Sequence, residues 1–555
     1  MAKKTTSDTP KPQKTPRTPR PPAAKPPKEP KAKDTKEAKV PKEPKAAKEP
    51  KAARAPKAPK PRASSSTSST SSTPLDILMV SSEARPFAKT GGLADVVGAL
   101  PQALARLGHR VTIVLPKYRG TQTGVAEGEP AQIPFGLHDY PVRFFEQTLS
   151  EGVTAVLIDA PALYDRDGLY GDRNGEYGDN AFRFAVLSRG ALEYARIRGR
   201  RFSAIHAHDW QGALAPVYAR TVLRDDQVIS GVRTVLTIHN LAFQGMFDPK
   251  ELTWIGLGAD LYNPGLLEFY GRASALKGGV VLSDAVTTVS PTYAREILTP
   301  EYGFGFDGIL RTRARDLAGI LNGIDTTTWD PSSDPLLPNH FDAASLDRKL
   351  DVKRALLEYA GLPVDDEQIR RPLIGIVTRL THQKGCDLFA AAADRLMGLD
   401  ASWVMLGSGE SWCEQVWRQL AMRLPQRVAA RIGFDERLAH LIEAGSDMFL
   451  MPSWYEPCGL NQMYSLRYGT LPIVRATGGL QDTVVDPAES EAEADGFKFS
   501  HYTGGALISA VERALAMFRK EPSRWRSMQQ NGMGRDFSWD VSAREYVKVY
   551  KGDKH

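Results

Sequence analysis

The sequence has few cysteines, no long apolar run and no apolar segment near its start. Only Cys386, Cys413 and Cys458 occur among 555 residues, which excludes a disulfide scaffold, and their spacing fits no cysteine-based zinc motif. We therefore expect a reducing, cytoplasmic environment. No stretch approaches the ~18 apolar residues of a transmembrane helix, and no secretory signal is expected, so we predict no membrane partner.

Residues 1–73 lack Leu, Ile, Phe, Tyr and Trp altogether and hold 15 of the 39 prolines. They carry 20 Lys and Arg against 6 Asp and Glu, a net charge of +14, whereas the remaining 482 residues carry a net charge of −7. So little apolar surface cannot offset the entropy of ordering the chain. We predict a disordered Lys/Pro/Ala-rich tail that ends in a flexible Ser/Thr linker over residues 64–73.

The basic tail has two interpretations. A lysine-rich arm can bind nucleic acid or another polyanion through counterion release, but this one has no aromatic residue on which a base would stack. We favour a solubilising tail without a specific partner. A plastid transit peptide is disfavoured, because such peptides are poor in acidic residues and the tail contains Glu29, Glu37, Glu43 and Glu49.

The rest of the chain alternates short apolar runs with helical patterns. The predicted strands are 75–80, 111–115, 153–158, 204–206, 234–238, 286–289 and 317–321, followed by 373–377, 403–406, 448–451 and 471–474. Strands joined by helices pair in parallel. We predict an α/β protein of two doubly wound Rossmann-like domains, 74–325 and 326–537, facing each other across a deep cleft. Residues 538–555 are predicted to form a last helix on the first domain.

A glycine pair follows a strand and precedes a helix once in each half. In the first half, Lys89 precedes Gly91 and Gly92, and Asp95 lies in the following helix. Paired glycines let the backbone approach a ligand, and a helix start offers free N–H groups to an anion. The second half repeats this arrangement in Thr477-Gly478-Gly479-Leu480. A tight turn would explain either element alone, but the two together favour phosphate binding in a shared cleft.

Charged residues follow two predicted strands of the second half. Arg379 and Lys384 lie just after one strand, where two cations suit a diphosphate and the charge of a leaving group; solvated surface charges are the alternative. Glu456 follows another strand, where a carboxylate can bind sugar hydroxyls or stabilise positive charge at an anomeric carbon; alternatively it caps the next helix. Cys458 is expected to be apolar filler, because no base is paired with it.

Two strands of the first half end in histidine beside a polar residue. His208 is followed by Asp209, and His239 by Asn240. Zinc binding by His206 and His208 would need a third ligand that the sequence does not supply. Hydrogen bonding to a polyhydroxylated substrate is favoured. The chain has no G-x-x-x-x-G-K-[ST] motif, which argues against a P-loop NTPase, and no G-x-S-x-G motif to support a serine hydrolase.

A set of motifs spread over about residues 75–550 is similar to the signature of one enzyme family. They are Lys89-Thr90-Gly91-Gly92-Leu93-Ala94-Asp95-Val96, His208-Asp209-Trp210, His239-Asn240-Leu241-Ala242-Phe243-Gln244-Gly245, Val289-Ser290-Pro291-Thr292-Tyr293-Ala294, Asn322-Gly323-Ile324-Asp325, the pair Arg379 and Lys384, Glu456-Pro457-Cys458-Gly459-Leu460, and Thr477-Gly478-Gly479-Leu480. Together they resemble the bacterial glycogen synthases and their relatives, the plant starch synthases. The tail lies outside the resemblance.

The resemblance implies a GT-B glycosyltransferase of the bacterial cytoplasm that needs no metal or other cofactor. Such enzymes transfer glucose from ADP-glucose to the non-reducing 4-hydroxyl of glycogen or another α-1,4-glucan, retain the anomeric configuration and release ADP. Attack on the face that the diphosphate leaves, with the leaving phosphate taking the acceptor proton, is the favoured chemistry. A double displacement through an enzyme nucleophile stays open.

The resemblance also implies roles for the site residues. Lys89, Gly91 and Gly92 would contact the phosphates and glucosyl group of the donor, and Asp95 its ribose or the helix start. The resemblance implies that Arg379 and Lys384 neutralise the diphosphate and that Gly478, Gly479 and Leu480 donate N–H groups to it. Asp209, His239 and Asn240 would hold the glucose and acceptor, and Glu456 would be the essential carboxylate. The implied catalytic residues are Glu456, His239, Asp209, Lys384 and Arg379, and Cys458, Gly459, Leu460 and Thr477 are implied to bind substrate.

Three positions depart from common patterns. Phe434 lies where the family often has a tyrosine that would stack on adenine, and Phe243 likewise replaces a tyrosine. Related glycosyltransferases outside the family have a second glutamate eight residues after the first. Here Tyr464 takes that place, which agrees with the synthase pattern and argues against Glu456 being half of a carboxylate pair.

Two other functions stay open at the level of sequence. One is a GT-B transferase that uses UDP-glucose or another acceptor. The other is a polyanion-binding protein on an inactive scaffold, which would be favoured if Lys89, Arg379, Lys384 or Glu456 were missing. All four are present.

Overall fold

The computed structural model describes residues 73–123, 128–173 and 175–553. The predicted tail, apart from Thr73, lies outside the described residues, so its predicted disorder and its partners stay predictions.

The described residues form 20 strands and 19 α-helices. In chain order the strands are β1 (Asp76–Val80), β2 (Arg110–Pro116), β3 (Glu129–Pro134), β4 (Asp139–Ser150), β5 (Val153–Asp159), β6 (Gly171–Asp172), β7 (Gly175–Glu176), β8 (Ala204–His208), β9 (Arg233–Ile238), β10 (Met246–Phe247), β11 (Glu268–Phe269), β12 (Arg272–Ser274), β13 (Ala285–Thr288), β14 (Leu317–Gly319), β15 (Leu373–Leu380), β16 (Ser402–Gly409), β17 (Val428–Ile432), β18 (Met448–Met451), β19 (Leu471–Arg475) and β20 (Phe497–Phe499). The helices are α1 (Gly92–Arg106), α2 (Pro161–Tyr164), α3 (Asn180–Ile197), α4 (Asp209–Gly212), α5 (Leu214–Arg220), α6 (Glu251–Trp254), α7 (Ala275–Leu282), α8 (Pro291–Glu296), α9 (Asp307–Thr312), α10 (Lys349–Ala360), α11 (Asp366–Arg370), α12 (Cys386–Gly398), α13 (Ser411–Arg423), α14 (Glu436–Gly445), α15 (Asn461–Arg467), α16 (Gly478–Thr483), α17 (Gly504–Lys520), α18 (Pro522–Gly534) and α19 (Trp539–Lys551). Short 3-10 helices lie at Ala259–Leu261, Leu346–Arg348 and His382–Lys384.

The first lobe, from β1 to β14, is built on a nine-stranded sheet of order β14-β13-β9-β8-β1-β2-β5-β4-β3. Its strands pair in parallel from β14 to β5, whereas β4 and β3 pair antiparallel at one edge. The sequence did not predict this edge hairpin. Exposed and buried residues alternate only in the first half of β4, and β3 fully buries only Ile133, because an antiparallel edge faces water on one side. Neither strand therefore forms a continuous apolar run.

The second lobe, from α10 to α18, carries a six-stranded parallel sheet of order β17-β16-β15-β18-β19-β20. Four of these strands were predicted. The two edge strands were not, because β17 is only partly buried and β20 has three residues. Two small antiparallel sheets, β10-β12-β11 and β6-β7, complete the strands of the described chain.

Both sheets are covered by helices on both faces. In β1, Leu78 and Val80 pack into one core while Ile77 and Met79 pack into the core on the opposite face. The strands of the second lobe divide in the same way, with Phe449 of β18 facing away from its two neighbours. Strands that are buried on both faces have continuous apolar runs in their sequence. Two doubly wound Rossmann-like lobes confirm the predicted fold class.

The first and last described helices pack together on the first lobe. α1 begins at Gly92, directly after the first glycine of the pair, and buries Val96, Val97, Leu100 and Leu104. The final helix α19 joins that apolar core through Trp539, Ala543, Tyr546, Val549 and Tyr550. The chain therefore returns from the second lobe to the first before it ends.

Candidate active site

The cleft between the lobes lies at the topological switch point of each sheet, where successive strands begin to be added on the other side. In the first sheet β1 lies between β2 and β8, and in the second β15 lies between β16 and β18. At such a point the connections leave to opposite sides and open a crevice at the carboxyl ends of the strands. The predicted residues Asp209, His239, Arg379 and Glu456 follow or end strands at these crevices. The resulting cavity has a volume of about 520 Å³.

Most of the predicted site residues line this one cavity. They are Lys89, Gly91, Gly92, Asp95, Asp209, His239, Asn240, Arg379, Lys384, Phe434, Glu456, Cys458, Gly459 and Leu460. Both lobes contribute to this set, and only residues 477–480 lie elsewhere. The sequence therefore identified residues that the fold brings together.

An ion pair between Lys384 and Glu456 occupies the second-lobe wall of the cleft. Lys384 Nζ lies 2.6 Å from Glu456 Oε2, and Ser453 Oγ donates to the same oxygen at 3.0 Å. Glu456 is only 4 % exposed. Because removing either partner would leave a charged group unpaired inside the cleft, the pair is a preorganised element of the site rather than a surface salt bridge.

Close backbone contacts hold the two loops of this ion pair together. Gly385 has a φ of 78°, and a Cβ there would lie 2.0 Å from the carbonyl oxygen of Pro452. Trp454 N–H donates to the Gln383 carbonyl at 2.9 Å. Only glycine allows this approach, which sets Lys384 beside the Glu456 loop.

The Arg379 guanidinium and two backbone N–H groups provide free hydrogen-bond donors on the same wall. The Arg379 guanidinium makes one long contact, 3.4 Å to Gln383 Oε1. Among the described residues, no hydrogen bond uses the N–H groups of Gly459 or Leu460, which lie in the turn before α15. Two cations and two free N–H groups on one wall suit an anion with several oxygens.

Residues 477–480 support the Glu456 loop from behind instead of lining the cleft. The N–H groups of Gly478, Gly479 and Leu480, which were predicted to donate to a diphosphate, are hydrogen-bonded to protein acceptors instead. Gly478 N–H donates to both carboxylate oxygens of Glu296 at 3.1 Å, and Gly479 N–H donates to the Glu456 carbonyl at 3.1 Å. Leu480 N–H donates to Thr477 O at 3.0 Å. A Cβ at position 478 would lie 1.9 Å from the Glu456 carbonyl, so the motif's glycines serve packing against that loop.

Glu83, which the sequence analysis missed, shapes the first glycine loop. Its carboxylate accepts hydrogen bonds from Thr90 N–H at 2.5 Å, Thr90 Oγ1 at 2.6 Å, Gly91 N–H at 3.2 Å and Tyr170 OH at 2.5 Å. Four donors satisfy a buried charge without a paired cation. The available signal was an acidic residue in the same connection as the glycine pair.

Lys89 shares its carboxylate partner with a second cation. Asp95 Oδ1 lies 2.8 Å from Lys89 Nζ and 2.7 Å from Arg85 Nε. All three line the cleft, and Arg85 had not been predicted. Because one carboxylate balances two cations, the cluster keeps a net positive charge opposite the Lys384 wall.

Asp209 organises the sugar-side residues of the first lobe. It begins α4 with a φ of 50°, a strained conformation for a residue other than glycine and one that clusters at functional sites. Its Oδ1 accepts hydrogen bonds from the backbone N–H of His239 at 2.7 Å and of Asn240 at 3.4 Å. Burial raises the pKa of Asp209 to about 7 and lowers that of His239 to about 3. His239 is therefore a neutral hydrogen-bonding group at physiological pH.

The histidines considered as zinc ligands are engaged with protein groups. His206 Nδ1 lies 2.8 Å from Tyr550 OH and its Nε2 lies 2.6 Å from Thr237 Oγ1. His208 Nδ1 lies 3.0 Å from His239 Nε2. Across residues 73–123, 128–173 and 175–553, no three His, Cys, Asp or Glu side chains gather as a metal site would require. In the same ranges no helix has the length and apolar character to span a membrane.

Aromatic rings and a thiol complete the cavity wall. Phe434 is 88 % exposed at the outer edge, and Phe243 is half-exposed on the opposite lobe. Tyr455 OH donates to Asn240 Oδ1 at 3.3 Å, a contact across the cleft. Cys458 is buried, and burial raises its pKa to about 12, so the thiol stays protonated and unreactive.

Comparison with known proteins defines the class of this site. A model of the starch synthase catalytic domain matches residues 76–312, and a model of glycosyl transferases group 1 matches residues 365–530. Two facing Rossmann-like lobes with these two matches make the protein a GT-B glycosyltransferase. A sucrose-phosphate synthase from Thermosynechococcus elongatus shares this fold, with a TM-score of 0.53 at 18 % identity over 86 % of this chain and 98 % of that one.

Closer relatives define the family. A glycogen synthase from Anaeromyxobacter dehalogenans is 49 % identical over 86 % of this chain and 99 % of its own length. One from Koribacter versatilis is 46 % identical over 86 % of this chain and 98 % of its own. The catalytic domain of starch synthase IV from Arabidopsis thaliana, bound to ADP and acarbose, has a TM-score of 0.80 at 35 % identity, over 86 % of this chain and 99 % of that one. The chain belongs to the glycogen synthase family, as its motifs predicted.

Proposed function

We propose that this protein transfers glucose from ADP-glucose to the non-reducing 4-hydroxyl of an α-1,4-glucan, retains the anomeric configuration and releases ADP. The observation that carries the proposal is the ion pair of Lys384 with the buried Glu456, 2.6 Å apart, in a cleft whose opposite lobe presents Lys89. The related starch synthase IV catalytic domain is bound to ADP and acarbose, which supports a nucleotide and an oligosaccharide-like molecule as ligands of this protein.

The donor diphosphate binds between the lobes. Lys384, Arg379 and the free N–H groups of Gly459 and Leu460 approach it from the second lobe. Lys89 approaches from the first lobe, where Arg85 remains to balance Asp95. These cations neutralise the diphosphate, and we therefore propose that the reaction needs no metal ion or other cofactor.

Transfer begins when the bond between the anomeric carbon and the diphosphate oxygen lengthens. Negative charge grows on that oxygen, where Lys384 and Arg379 stabilise it, and positive charge grows on the sugar ring beside the Glu456 carboxylate. The acceptor 4-hydroxyl attacks on the face that the diphosphate leaves, forms the new glycosidic bond and passes its proton to the departing phosphate oxygen. Removing one such charge typically lowers the rate by ~10²–10³.

The residues that hold the sugar are uncharged, and Asp209, which positions them, is hydrogen-bonded to backbone N–H groups. Neutral His239 and the Asn240 amide face the cleft and hydrogen-bond glucose and acceptor hydroxyls. Asp209 fixes both through their backbone N–H groups. Closure of the lobes around the donor would exclude water and so protect it from hydrolysis.

The direct test follows nucleotide release with glycogen as acceptor. Wild-type protein is expected to release ADP from ADP-glucose much faster than UDP from UDP-glucose, and Glu456→Ala is expected to abolish release. Glu545→Ala, an exposed carboxylate on α19, is the control and keeps full activity. Faster release of UDP would favour the alternative transferase, and no release from either donor would favour a binding protein.

A further inference from the structure

His208 is a buried histidine that the proposed mechanism does not use. It ends β8 and is fully buried, and its Nδ1 lies 3.0 Å from Nε2 of His239. The next residue, Asp209, accepts a hydrogen bond from the backbone N–H of His239. Two consecutive residues at the end of one strand therefore hold His239, one through its ring and the other through its backbone.

Packing fixes the orientation of the His208 ring. The ring of His206 lies against it, with centroids 4.1 Å apart. Both nitrogens of His206 are themselves engaged, by Tyr550 OH and Thr237 Oγ1. Because interior side chains are close-packed, the His208 ring cannot turn without displacing a ring that is held on both sides. The contact between His208 and His239 is therefore preorganised.

Both rings of this contact are neutral. Burial holds the pKa of His208 well below its ordinary value and lowers the pKa of His239 to about 3. A neutral imidazole has one N–H donor and one unprotonated acceptor nitrogen. One ring must therefore donate to the other, and the position of the proton on each ring depends on the other ring.

The second ring nitrogen of His208 decides between the two arrangements. Its Nε2 is buried and has no hydrogen-bond partner among the described residues. If His208 accepted from His239, its own proton would lie on this Nε2 and form a buried N–H without an acceptor. Buried N–H groups without an acceptor are rarer in native proteins than incompletely bonded acceptors. His208 therefore carries its proton on Nδ1 and donates it to His239 Nε2.

This arrangement sets the hydrogen-bonding character that His239 presents to the cleft. Because its Nε2 accepts from His208, the single proton of the neutral His239 ring lies on Nδ1. His239 lines the cleft, and with Nε2 turned to His208, Nδ1 is the ring nitrogen left for a substrate. A sugar hydroxyl in the cleft therefore meets an N–H donor instead of a lone pair.

We propose that His208 is a positioning residue of the transfer reaction, which fixes His239 as the Nδ1–H tautomer so that His239 donates a hydrogen bond to a sugar hydroxyl oxygen. The inference rests on the proposed function, since that function places a sugar at His239. A donor that is oriented before the substrate binds needs no rearrangement during the reaction. The hydroxyl that accepts from it keeps its own proton for another acceptor.

The first test locates the His239 proton by nitrogen-15 NMR of the full-length protein with labelled histidine. Wild-type protein at pH 7.5 is expected to show a protonated Nδ1 and an unprotonated Nε2 for His239, whose signals are identified by their loss in His239→Gln. In His208→Phe the His239 ring is no longer held, so both tautomers are expected. His208→Asn carries an N–H2 group on Cγ, the carbon that bears Nδ1 in histidine, and should restore part of the wild-type pattern.

Nucleotide release from ADP-glucose with glycogen gives the functional measurement. His208→Phe is expected to lower kcat/KM for ADP-glucose about tenfold, because a misplaced binding group costs transition-state contacts, and His208→Asn should recover part of it. His109→Phe is the matched control. It replaces another buried histidine of the first lobe, whose Nδ1 accepts from Leu75 N–H at 3.1 Å, and should keep the wild-type kcat/KM and His239 signals.

Two results would overturn the role of His208 alone. One is a protonated Nε2 of His239 in a wild-type protein that releases ADP. The other is a His208→Phe protein with the wild-type kcat/KM, or with a loss that His109→Phe matches, as a general loss of stability predicts. A wild-type protein that releases no ADP from ADP-glucose would overturn the positioning role together with the proposed function, whatever the ring signals show.

Discussion

Glu296 in the first lobe accepts hydrogen bonds from the backbone N–H of Gly478 in the second, at 3.1 Å to each carboxylate oxygen. The relationship is reciprocal, because Asp482 of the second lobe accepts hydrogen bonds from Thr292 N–H at 2.8 Å and Thr292 Oγ1 at 2.6 Å. Helices α8 and α16 thus satisfy each other's first-turn N–H groups. This contact joins the lobes directly behind the Glu456 loop.

Loss of the Glu296 carboxylate should weaken that joint. Glu296→Ala leaves the buried Gly478 N–H without an acceptor, at a cost of ~1–3 kcal/mol, and loosens the loop that Gly479 supports. We expect lower stability in urea unfolding and a fall of about tenfold in the rate of ADP release. The neighbouring exposed Glu301→Ala serves as control. Equal rates and stabilities for Glu296→Ala and wild type would contradict this role.

The Lys384–Glu456 pair allows stability to be separated from activity. Lys384→Ala leaves the buried Glu456 charge uncompensated, so we expect a stability loss of ~3–5 kcal/mol and a rate loss of ~10²–10³. The double variant Lys384→Ala/Glu456→Ala removes both charges and should regain much of the stability without regaining activity. Urea unfolding and nucleotide release measure the two effects. A double variant as unstable as Lys384→Ala would show that the pair is not coupled.

Glu83 should act on the donor through the loop of Lys89. Glu83→Ala removes the acceptor of Thr90 and Gly91 N–H, so the loop loses its fixed shape. We expect about a tenfold fall in kcat/KM for ADP-glucose, since misplaced binding groups cost transition-state contacts. Glu83→Gln keeps one acceptor oxygen and should recover part of the activity. An unchanged kcat/KM in Glu83→Ala would rule out a positioning role.

The raised pKa of Asp209 predicts a specific pH dependence of the free energy of unfolding. Its folded pKa of about 7 lies above the ordinary value of 3.8, so the unfolded chain ionises first as pH rises. Its contribution to the free energy of unfolding therefore falls between about pH 4 and pH 7 and is constant above that. Asp209→Asn removes this fall, and its stability relative to wild type should rise across the window by up to about 4 kcal/mol.

The comparison must be made as a difference between the two proteins. His206 and His239 have folded pKa values of about 3, below the ordinary 6.5, so their contribution to stability increases with pH between about 3 and 6.5 and opposes that of Asp209. Both proteins contain these histidines. Urea unfolding at several pH values between 4.5 and 7.5 gives the difference, and a difference independent of pH would refute the raised pKa.

Local patterns in the sequence were enough to predict the parallel strands other than β17 and β20, and the residues at their carboxyl ends. Buried runs such as β1 and β18 have a clear apolar signature, and the switch points of the sheets then bring Asp209 and Glu456 to one cleft. Hydrogen-bond partners that lie far apart in the sequence were not predictable. The roles of Glu83 and Glu296 depend on which backbone N–H groups the fold leaves without another acceptor, and residue spacing does not show that.

The second glycine pair illustrates the same limit. Its spacing correctly indicated that the backbone approaches another group closely at Gly478, but the neighbour is the backbone carbonyl of Glu456 rather than a phosphate. A glycine motif indicates that the backbone approaches another group closely, but it does not identify that group.

The most direct test of the whole account is a crystal structure of the protein with ADP. We expect the diphosphate in the cleft, within hydrogen-bonding distance of Lys384 Nζ and the Arg379 guanidinium and facing Lys89. ADP bound outside the cleft, or a diphosphate out of reach of both Lys384 and Arg379, would contradict it.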